Sequence, residues 1–285
     1  MFRNIKKHFF DTSTYSNDFS SFDGNMKNID EIKYVEKLYN KRSLRTNDAI
    51  KAAGQWQSEE CVPKICDEIC KKIRISKEDK VLELGCGSGV LGDRLRRESK
   101  LYVGIDISLQ MLKIFSNNMR TKNIINLFQA STHTIPFIND TFDVIVMNSV
   151  TMYFPNEDIF IKTLEEIKRV AKKNATLFIG DNITPDGYFW EFTWFKNLSK
   201  PAKLLAKPYI KLRKWMAIKN SRFAGKWKYT HKEVSPEFIN TYFSKNSIEQ
   251  SKSATSTIKQ KILGKKYQGN RRVDFVIKLG TEKDV

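Results

Sequence analysis

The fold is decided by the stretch Val81-Leu82-Glu83-Leu84-Gly85-Cys86-Gly87-Ser88-Gly89, an apolar run followed at once by three alternating glycines. The run predicts a short buried strand over Lys80–Leu84. The glycines predict a sharp turn in which the backbone approaches a ligand closely, because glycine has no side chain to obstruct either. After the turn we expect a helix that contains Val90, Leu91 and Leu95.

Outward from this stretch, short apolar runs alternate with segments of helical periodicity. Further strands are predicted at Leu101–Ile105, Ile124–Gln129, Phe142–Asn148 and Ala175–Gly180. Helices are predicted at Leu109–Met119, with Ser108 as N-cap, and from Asn156 or Glu157 to about Lys172. This alternation predicts an α/β fold with parallel βαβ units and a sheet covered on both faces. In such sheets a ligand binds outside the carboxyl ends of the strands, where the strand order reverses.

Asp106 follows the second predicted strand, about 20 residues after the glycine turn. A carboxylate at that place accepts hydrogen bonds from both hydroxyls of a ribose, so the turn and the acid together predict an adenosine-type cofactor. The glycine spacing is GxGxG with Val90 next, whereas a dinucleotide fingerprint requires GxGxxG. No Walker lysine follows the turn, which excludes a P-loop.

The stretch Val81–Gly89 closely resembles the first motif of class I S-adenosylmethionine-dependent methyltransferases. The similarity continues at Tyr102–Ser108, Ile135–Phe137, Phe142–Ile145, Glu165–Val170 and Ile179–Asp181. The similarity covers about residues 75–185, and a weaker similarity is found in the apolar strand predicted at Arg271–Leu279. The resemblance implies a Rossmann-like, seven-stranded, mostly parallel sheet in the order 3-2-1-4-5-7-6, with helices on both faces. It also implies S-adenosyl-L-methionine as the cofactor.

The resemblance assigns a set of cofactor-binding residues, residue by residue. In the family, the glycine loop lines the methionine portion, the acid after the second strand binds the ribose, and the next residue contacts the adenine. The positions here are Glu83, Leu84, Gly85, Cys86, Gly87, Gly89, Asp106, Ile107, Ser131 and Asn148. Ser131 stands where the family often has an acid near the adenine amino group, so a hydroxyl or a backbone group replaces that acid here.

For methyl transfer, the main task of the protein is to align a nucleophile with an activated sulfonium methyl group. A hydroxyl acceptor calls in addition for a base within hydrogen-bond reach. Three candidates stay open: Asp181 after the fifth strand, His133 after the third, and His231 in the C-terminal part. Tyr153 and Trp56 are candidates to line the sulfonium or acceptor pocket through cation–π contacts.

The cysteines are interpreted as packing residues. The helical spacing that they share with apolar neighbours predicts a buried helix face with reduced thiols, at Val62, Ile65, Cys66, Ile69, Cys70 and Ile73. No CxxC pair and no nearby His supports a metal site, so none is predicted. Reduced thiols and the lack of an apolar leader favour the cytoplasm over secretion. No run of about 18 apolar residues indicates a membrane span.

The positive charge is concentrated in the last third of the chain. The formal net charge is +18, and residues 186–285 alone hold 22 Lys or Arg against 8 Asp or Glu. Eleven of these basic residues lie between Lys196 and Lys228, interleaved with aromatic residues. The predicted divisions are an N-terminal arm or cap (1–55), a cofactor-binding core (56–185), a basic aromatic lid insertion (186–240) and C-terminal strands that complete the sheet (241–285).

Three interpretations of the basic insertion stay open: a lid helix, a peripheral contact with an anionic membrane surface, and a nucleic-acid contact. The first hypothesis for function is methylation, on oxygen, of a small-molecule or glycan-type acceptor, such as a surface-polysaccharide or a lipid-linked or phosphorylated intermediate. The second is an RNA methyltransferase. It is disfavoured because the fourth strand ends in Asn148-Ser149-Val150-Thr151 instead of an Asn-Pro-Pro-Tyr-like sequence. The third is a non-catalytic binding protein. The expected location is cytoplasmic, with peripheral contact at the inner membrane surface.

Overall fold

The structure, a computed structural model, describes residues 26–53, 60–118, 126–183, 201, 236–263 and 272–280. Among these residues are seven strands: β1 (Lys80–Leu84), β2 (Leu101–Asp106), β3 (Asn126–Gln129), β4 (Phe142–Asn148), β5 (Ala171–Ile183), β6 (Ser247–Lys252) and β7 (Arg272–Lys278). They form one sheet in the order β3-β2-β1-β4-β5-β7-β6. The strand order implied by the family resemblance is confirmed.

The sheet is parallel except at one edge. The strands β1 to β5 pair in parallel, while β7 is antiparallel to both β5 and β6. The chain builds outward from β1 to β3 and then returns to place β4 on the other side of β1. This reversal leaves a crevice at the carboxyl ends of β1 and β4, where open α/β sheets bind their ligands.

Eight helices flank the sheet in the described part of the chain: α1 (Met26–Ser43), α2 (Ala49–Ala52), α3 (Val62–Ile73), α4 (Gly92–Glu98), α5 (Leu109–Asn118), α6 (Glu157–Val170), α7 (Pro236–Tyr242) and α8 (Ala254–Leu263). The apolar face predicted for α3 is buried. Asn156 caps α6 by accepting the N–H of Ile159 at 3.0 Å. None of the described helices is long and apolar enough to cross a membrane.

Three predicted elements differ from the structure by two residues or more within the described part of the chain. Helix α6, predicted to reach about Lys172, ends at Val170, because Ala171 already pairs with Phe142 of β4. The helix after the glycine turn begins only at Gly92, so Val90 and Leu91 belong to the turn itself. Strand β5 extends beyond the predicted Ala175–Gly180 at both ends. Its first residue, Ala171, pairs with Phe142 of β4. The residues that follow, 172–174, are polar, so this part of the strand does not appear as an apolar run in the sequence.

Much of the basic lid insertion predicted for residues 186–240 lies outside the described residues, which include only Pro201 and 236–240 of that range. His231 and Trp56 also lie outside them. The N-terminal division predicted as an arm or cap contains helix α1, which packs against α5. Helix α1 therefore stands beside the crevice at the carboxyl ends of the strands.

Candidate functional site

The glycine turn after β1 forms the floor of the site. Gly85, Gly87 and Gly89 have φ angles of +71°, +53° and +84°, in the left-handed region that L side chains rarely adopt. A Cβ atom on Gly85 would lie 2.5 Å from Cγ2 of Val150, so the turn packs closely against the segment after β4. The backbone N–H of Gly85 donates to the carbonyl of Ile105 at 2.8 Å, which fixes the turn to the end of β2.

Asp106, at the carboxyl end of β2, is held in place by two backbone donors. The N–H of Gly87 donates to Oδ2 and the N–H of Ser108 donates to Oδ1, each at 2.8 Å. Burial raises the pKa of this carboxyl group, and the two N–H donors oppose that shift. Because each carboxylate oxygen can accept more than one hydrogen bond, acceptor sites remain for a pair of ribose hydroxyls.

Glu83, near the end of β1, is a buried acid with one side-chain donor. Only 4% of its surface is exposed, and the hydroxyl of Tyr102 donates to its Oε2 at 2.5 Å. Burial raises the pKa of Glu83 to about 8, and the Tyr102 hydrogen bond only partly offsets this effect. The carboxyl group is therefore mostly protonated at neutral pH, until a cation approaches it.

Helices outside the sheet close the pocket above these groups. Their lining residues are Ile32, Val35 and Tyr39 from α1 and Val62, Ile65, Cys66 and Ile69 from α3. The ring of Tyr39 meets that of Tyr153, from the short 3₁₀ turn after β4, edge to face with 5.4 Å between centroids. Asn40 accepts the hydroxyl of Ser108 at 2.6 Å, which fixes α1 to the start of α5. The N-terminal helix is thus one wall of the pocket.

The described lining contains acidic side chains but no permanently cationic ones. Glu83 and Asp106 are its acidic members, and none of the described residues that line it is Lys or Arg. This contrasts with the formal net charge of +18 for the chain. A pocket of this composition suits a ligand with positively charged groups. When such a ligand displaces water, its positive charge stabilises the ionised form of the acids in place of the water.

Ser131 and His133 form a pair at the exit of β3. The hydroxyl of Ser131 lies 2.6 Å from Nδ1 of His133. Burial and the nearby Lys162 lower the pKa of the imidazole below its ordinary value, which favours the uncharged ring. The pair offers uncharged hydrogen-bonding groups at the position where the family often has an acid.

Most of the predicted site residues are brought together in this pocket. Its lining includes Glu83, Gly85, Cys86, Gly87, Asp106, Ile107, Ser131, His133, Asn148 and Tyr153. Leu84 is not among the lining residues, because neighbouring strand residues point to opposite faces and its side chain is fully buried in the core. Gly89 packs against Phe115 instead. Asp181 is buried beside Ser149, which itself lines the pocket.

The contribution of α1 to the pocket was not predicted from the sequence. Ile32, Val35 and Tyr39 lie more than 40 residues before β1, and only the packing of α1 on α5 brings them to the pocket. No local motif marks such a contact. Ser149 was also missed, although it directly follows the predicted Asn148.

The region around this pocket matches a family model described as a methyltransferase domain, over residues 82–179. The match runs from β1 into β5 and contains the glycine turn, Asp106 and Asn148. Together with the strand order, it decides the family of this region. It is a class I S-adenosylmethionine-dependent methyltransferase domain.

Curated relatives of this methyltransferase domain include proteins of several kinds. An uncharacterized methyltransferase of Schizosaccharomyces pombe is 33% identical over 115 residues, which are 38% of this chain and 43% of that protein. A ubiquinone biosynthesis O-methyltransferase of Pelagibacter ubique is 25% identical over 206 residues, 64% of this chain and 84% of that protein. The chain spans less than half the length of the first curated relatives that it matches.

A solved structure supports the fold of the methyltransferase domain. It is a phosphoethanolamine N-methyltransferase of Haemonchus contortus in complex with phosphoethanolamine and S-adenosylhomocysteine. The TM-score is 0.60, and the alignment covers 90% of this chain and 51% of that chain. At 11% sequence identity this likeness concerns the fold alone.

The residues of the pocket fit S-adenosyl-L-methionine, the cofactor of the family. Asp106 presents unused acceptor sites for the ribose, the glycine turn leaves no room for side chains, and Glu83 offers a buried carboxyl group to an ammonium group. When bound, the cofactor supplies a methyl group activated by a sulfonium. In such a transfer the contribution of the surrounding residues is to hold and orient the two reactants. No group of three or more His, Cys, Asp or Glu among the described residues is arranged to hold a metal ion.

The raised pKa of Glu83 predicts that cofactor binding is linked to proton release. At pH 7 the buried acid is protonated, and pairing with an ammonium group requires its ionised form. We therefore expect release of most of one proton on binding, and an affinity that rises from pH 6 to pH 8. Calorimetric titrations in two buffers with different ionisation enthalpies measure the proton count.

The control for this prediction is Glu83→Gln, which has a similar shape but does not titrate. Both the proton release and the pH dependence of affinity should disappear in this variant, and equal proton release by the two proteins would contradict the assignment.

The raised pKa of Glu83 also affects the stability of the fold. The folded-state pKa of about 8 exceeds the ordinary value of 4.5, so the contribution of Glu83 to stability is present below pH 4.5 and is lost as the pH rises to about 8.

Proposed function

We propose that the protein transfers the methyl group of S-adenosyl-L-methionine to an oxygen atom of a small-molecule or glycan-type acceptor. The observation that carries this proposal is the cover that two helices give to the pocket in the described part of the chain. Helices α1 and α3 wall it from outside the sheet, and Tyr39 and Tyr153 meet across it. An acceptor that reaches the methyl group there must be small or must present a narrow arm.

Transfer to oxygen is supported by one relative and by the polar groups of the pocket. The Pelagibacter ubique relative, which aligns over 64% of this chain, is named an O-methyltransferase. Ser131, Thr132 and Ser149 add hydroxyl groups to the lining, and His133 adds an uncharged imidazole. Such groups orient a hydroxyl acceptor by hydrogen bonds.

The charge of an acceptor is constrained by the same lining. Since the described lining residues include no Lys or Arg, they offer no ion-pair partner to a phosphate. A phosphorylated or lipid-linked acceptor would depend on cations from the basic segment between β5 and α7, which lies outside the described residues. A peripheral contact of that segment with an anionic membrane, and the cytoplasmic location, stay predictions.

RNA methylation is the second candidate, and the charge of the chain favours it. The last 100 residues hold 14 of the 18 net positive charges, a distribution typical of nucleic-acid binding proteins. The enclosure of the pocket by α1 speaks against it, because a nucleotide within a structured RNA would have to enter past that helix. A non-catalytic binding protein of the same fold is a third outcome of the test.

The test offers methyl-labelled S-adenosyl-L-methionine to the purified protein with three classes of acceptor: hydroxylated small molecules and sugars, their phosphate esters, and total RNA. We expect label in the first or second class, with an ether product that resists mild base. Label in RNA alone would overturn the proposal. Cofactor binding with no transfer in any class would favour the non-catalytic protein.

A further inference from the structure

Three charged or polar side chains meet at the ends of β4, β5 and β7, beside the cofactor pocket. The hydroxyl of Ser149 donates to Oδ2 of Asp181 at 2.8 Å, and Nη1 of Arg272 donates to the same oxygen at 2.5 Å. Asp181 is 5% exposed, whereas the Arg272 side chain is about one third exposed. Only Ser149 of the three is among the residues that line the pocket.

The backbone is unusual at both ends of the Ser149–Asp181 contact. Ser149 has φ +59° and Asp181 has φ +58°, although neither residue is glycine. The register of β5 against β7 shifts between Ile179 and Asn182, and the N–H of Asp181 donates to Oδ1 of Asp274 at 2.8 Å. A bulge of this kind re-aims a side chain, and left-handed conformations outside glycine concentrate at functional sites.

Asp181 also has unused hydrogen-bonding capacity. Its Oδ1 is buried and has no hydrogen-bond partner among the described residues, while both side-chain donors contact Oδ2. A buried carboxylate oxygen without a donor is costly, which makes this arrangement hard to explain as packing alone.

The contact with Asp181 determines what Ser149 can do. A serine hydroxyl has one proton to donate and two lone pairs. Since the proton points to Asp181, the atom that remains available to a ligand is the oxygen of Ser149 as an acceptor. A ligand group that meets it must bring its own proton, as an O–H group does and an ether does not.

We infer that Ser149 binds the hydroxyl group of the methyl acceptor, and that Asp181 is a positioning residue that keeps the Ser149 proton turned away from the pocket. This inference rests on the proposed function and adds the residue that recognises the acceptor. Arg272 holds the carboxylate in place by donating to the same oxygen. The hydrogen bond to Ser149 orients a lone pair of the acceptor oxygen toward the methyl group. As the new C–O bond forms and the C–S bond of the sulfonium breaks to leave S-adenosylhomocysteine, the acceptor proton would pass to Oγ of Ser149 and the serine proton to Oδ2 of Asp181. The methylated product has no O–H donor for Ser149, which favours its release.

The test compares two probes, phenol and its methyl ether anisole, in which a methyl group replaces the proton of the O–H donor. The added bulk of the methyl group is the same for every variant, so the change in preference between variants reports on the hydrogen bond. Their binding to the protein loaded with S-adenosylhomocysteine is measured by ligand-observed NMR, with the cofactor affinity measured by calorimetry. We expect the wild-type protein to bind phenol about fivefold more tightly than anisole, the effect of one hydrogen bond. In Ser149→Gly this preference should disappear while the cofactor affinity stays within twofold.

Ser149→Gly is chosen because it removes the hydroxyl and also relieves the left-handed backbone, so the variant should fold. Asn174→Gly is the matched control. Asn174 also has a left-handed φ of +65° in β5, but at the opposite end of the strand from Asp181. This control should keep the preference for phenol. Asp181→Asn should reduce the preference for phenol over anisole without removing it. The oxygen of Ser149 remains, but its proton is held less strongly toward residue 181.

The outcomes separate the inference from the proposed function. Equal preference for phenol in the wild type and in Ser149→Gly, or no preference in either, would overturn the role of Ser149. If the preference depends on Ser149 but the acceptor screen labels only RNA, the proposed function is wrong and the hydroxyl site stands. When an oxygen acceptor is found, Ser149→Gly should lower its kcat/KM by about tenfold or more.

Discussion

Asp106→Ala should lower the affinity for S-adenosyl-L-methionine about 100-fold or more. The carboxylate is fixed by the N–H groups of Gly87 and Ser108, so it is already oriented for the two ribose hydroxyls before the cofactor arrives. Hydrogen bonds to a charged group contribute about 1.5–3 kcal/mol each, and alanine removes both of them. The variant also loses the acceptor that holds the glycine turn at Gly87. Isothermal titration calorimetry measures the change.

Asp143→Ala is the matched control for this prediction. Asp143 accepts the N–H of Lys80 at 3.0 Å and pairs with Lys172 at 2.8 Å, so it too is an acid that binds backbone and side-chain donors. It lies at the start of β4, whereas Asp106 lies at the end of the parallel strand β2. Asp143→Ala should leave cofactor affinity unchanged. Unchanged affinity in Asp106→Ala would contradict the assignment of the ribose site.

The central strands could be predicted from the sequence because each is a short apolar run with a clear end. The bounds of β1 and β4 agree with the structure at every residue. Ser108 caps α5 as predicted, through its hydroxyl and the N–H of Met111 at 3.2 Å. Apolar periodicity and capping chemistry are local properties, so a single sequence displays them.

The start of α4 and the length of β5 could not be predicted from apolar periodicity. The left-handed glycines extend the turn as far as Leu91, although Val90 and Leu91 fit the apolar pattern of the helix. The polar start of β5 is a strand only because Ala171 pairs with Phe142, a contact distant in sequence.

The parts of the site that local motifs define could be predicted from the sequence. The parts that tertiary packing brings together could not. Asp106 and the glycine turn are 17 or more residues apart but lie at adjacent strand ends, as the βαβ pattern requires. Tyr39 comes from a helix whose position depends on tertiary contacts. The pairing of Glu83 with Tyr102 depends on side-chain direction across two strands, and motif spacing says nothing about that.

Gly89→Ala should destabilise the fold by about 2–5 kcal/mol. The residue has φ +84°, where a Cβ atom costs about 1–2 kcal/mol. The added methyl group would also overlap the ring of Phe115, which is 1% exposed and contacts Tyr102 edge to face. Displacing a tightly packed ring typically costs a further 1–3 kcal/mol. Urea unfolding measures the change, which is a large share of the roughly 5–15 kcal/mol that stabilises a typical domain.

Gly87→Ala separates the two causes, because Gly87 shares the left-handed backbone but not the close packing. A Cβ atom there would have its nearest neighbour at 3.7 Å, the terminal methyl carbon of Met111. Its substitution should cost only the backbone strain, about 1–2 kcal/mol. Adding Phe115→Leu to Gly89→Ala should recover part of the lost stability, since the smaller side chain makes room for the new methyl group. Equal destabilisation by the two alanines, with no recovery in the double variant, would show that backbone strain alone makes glycine necessary in this turn.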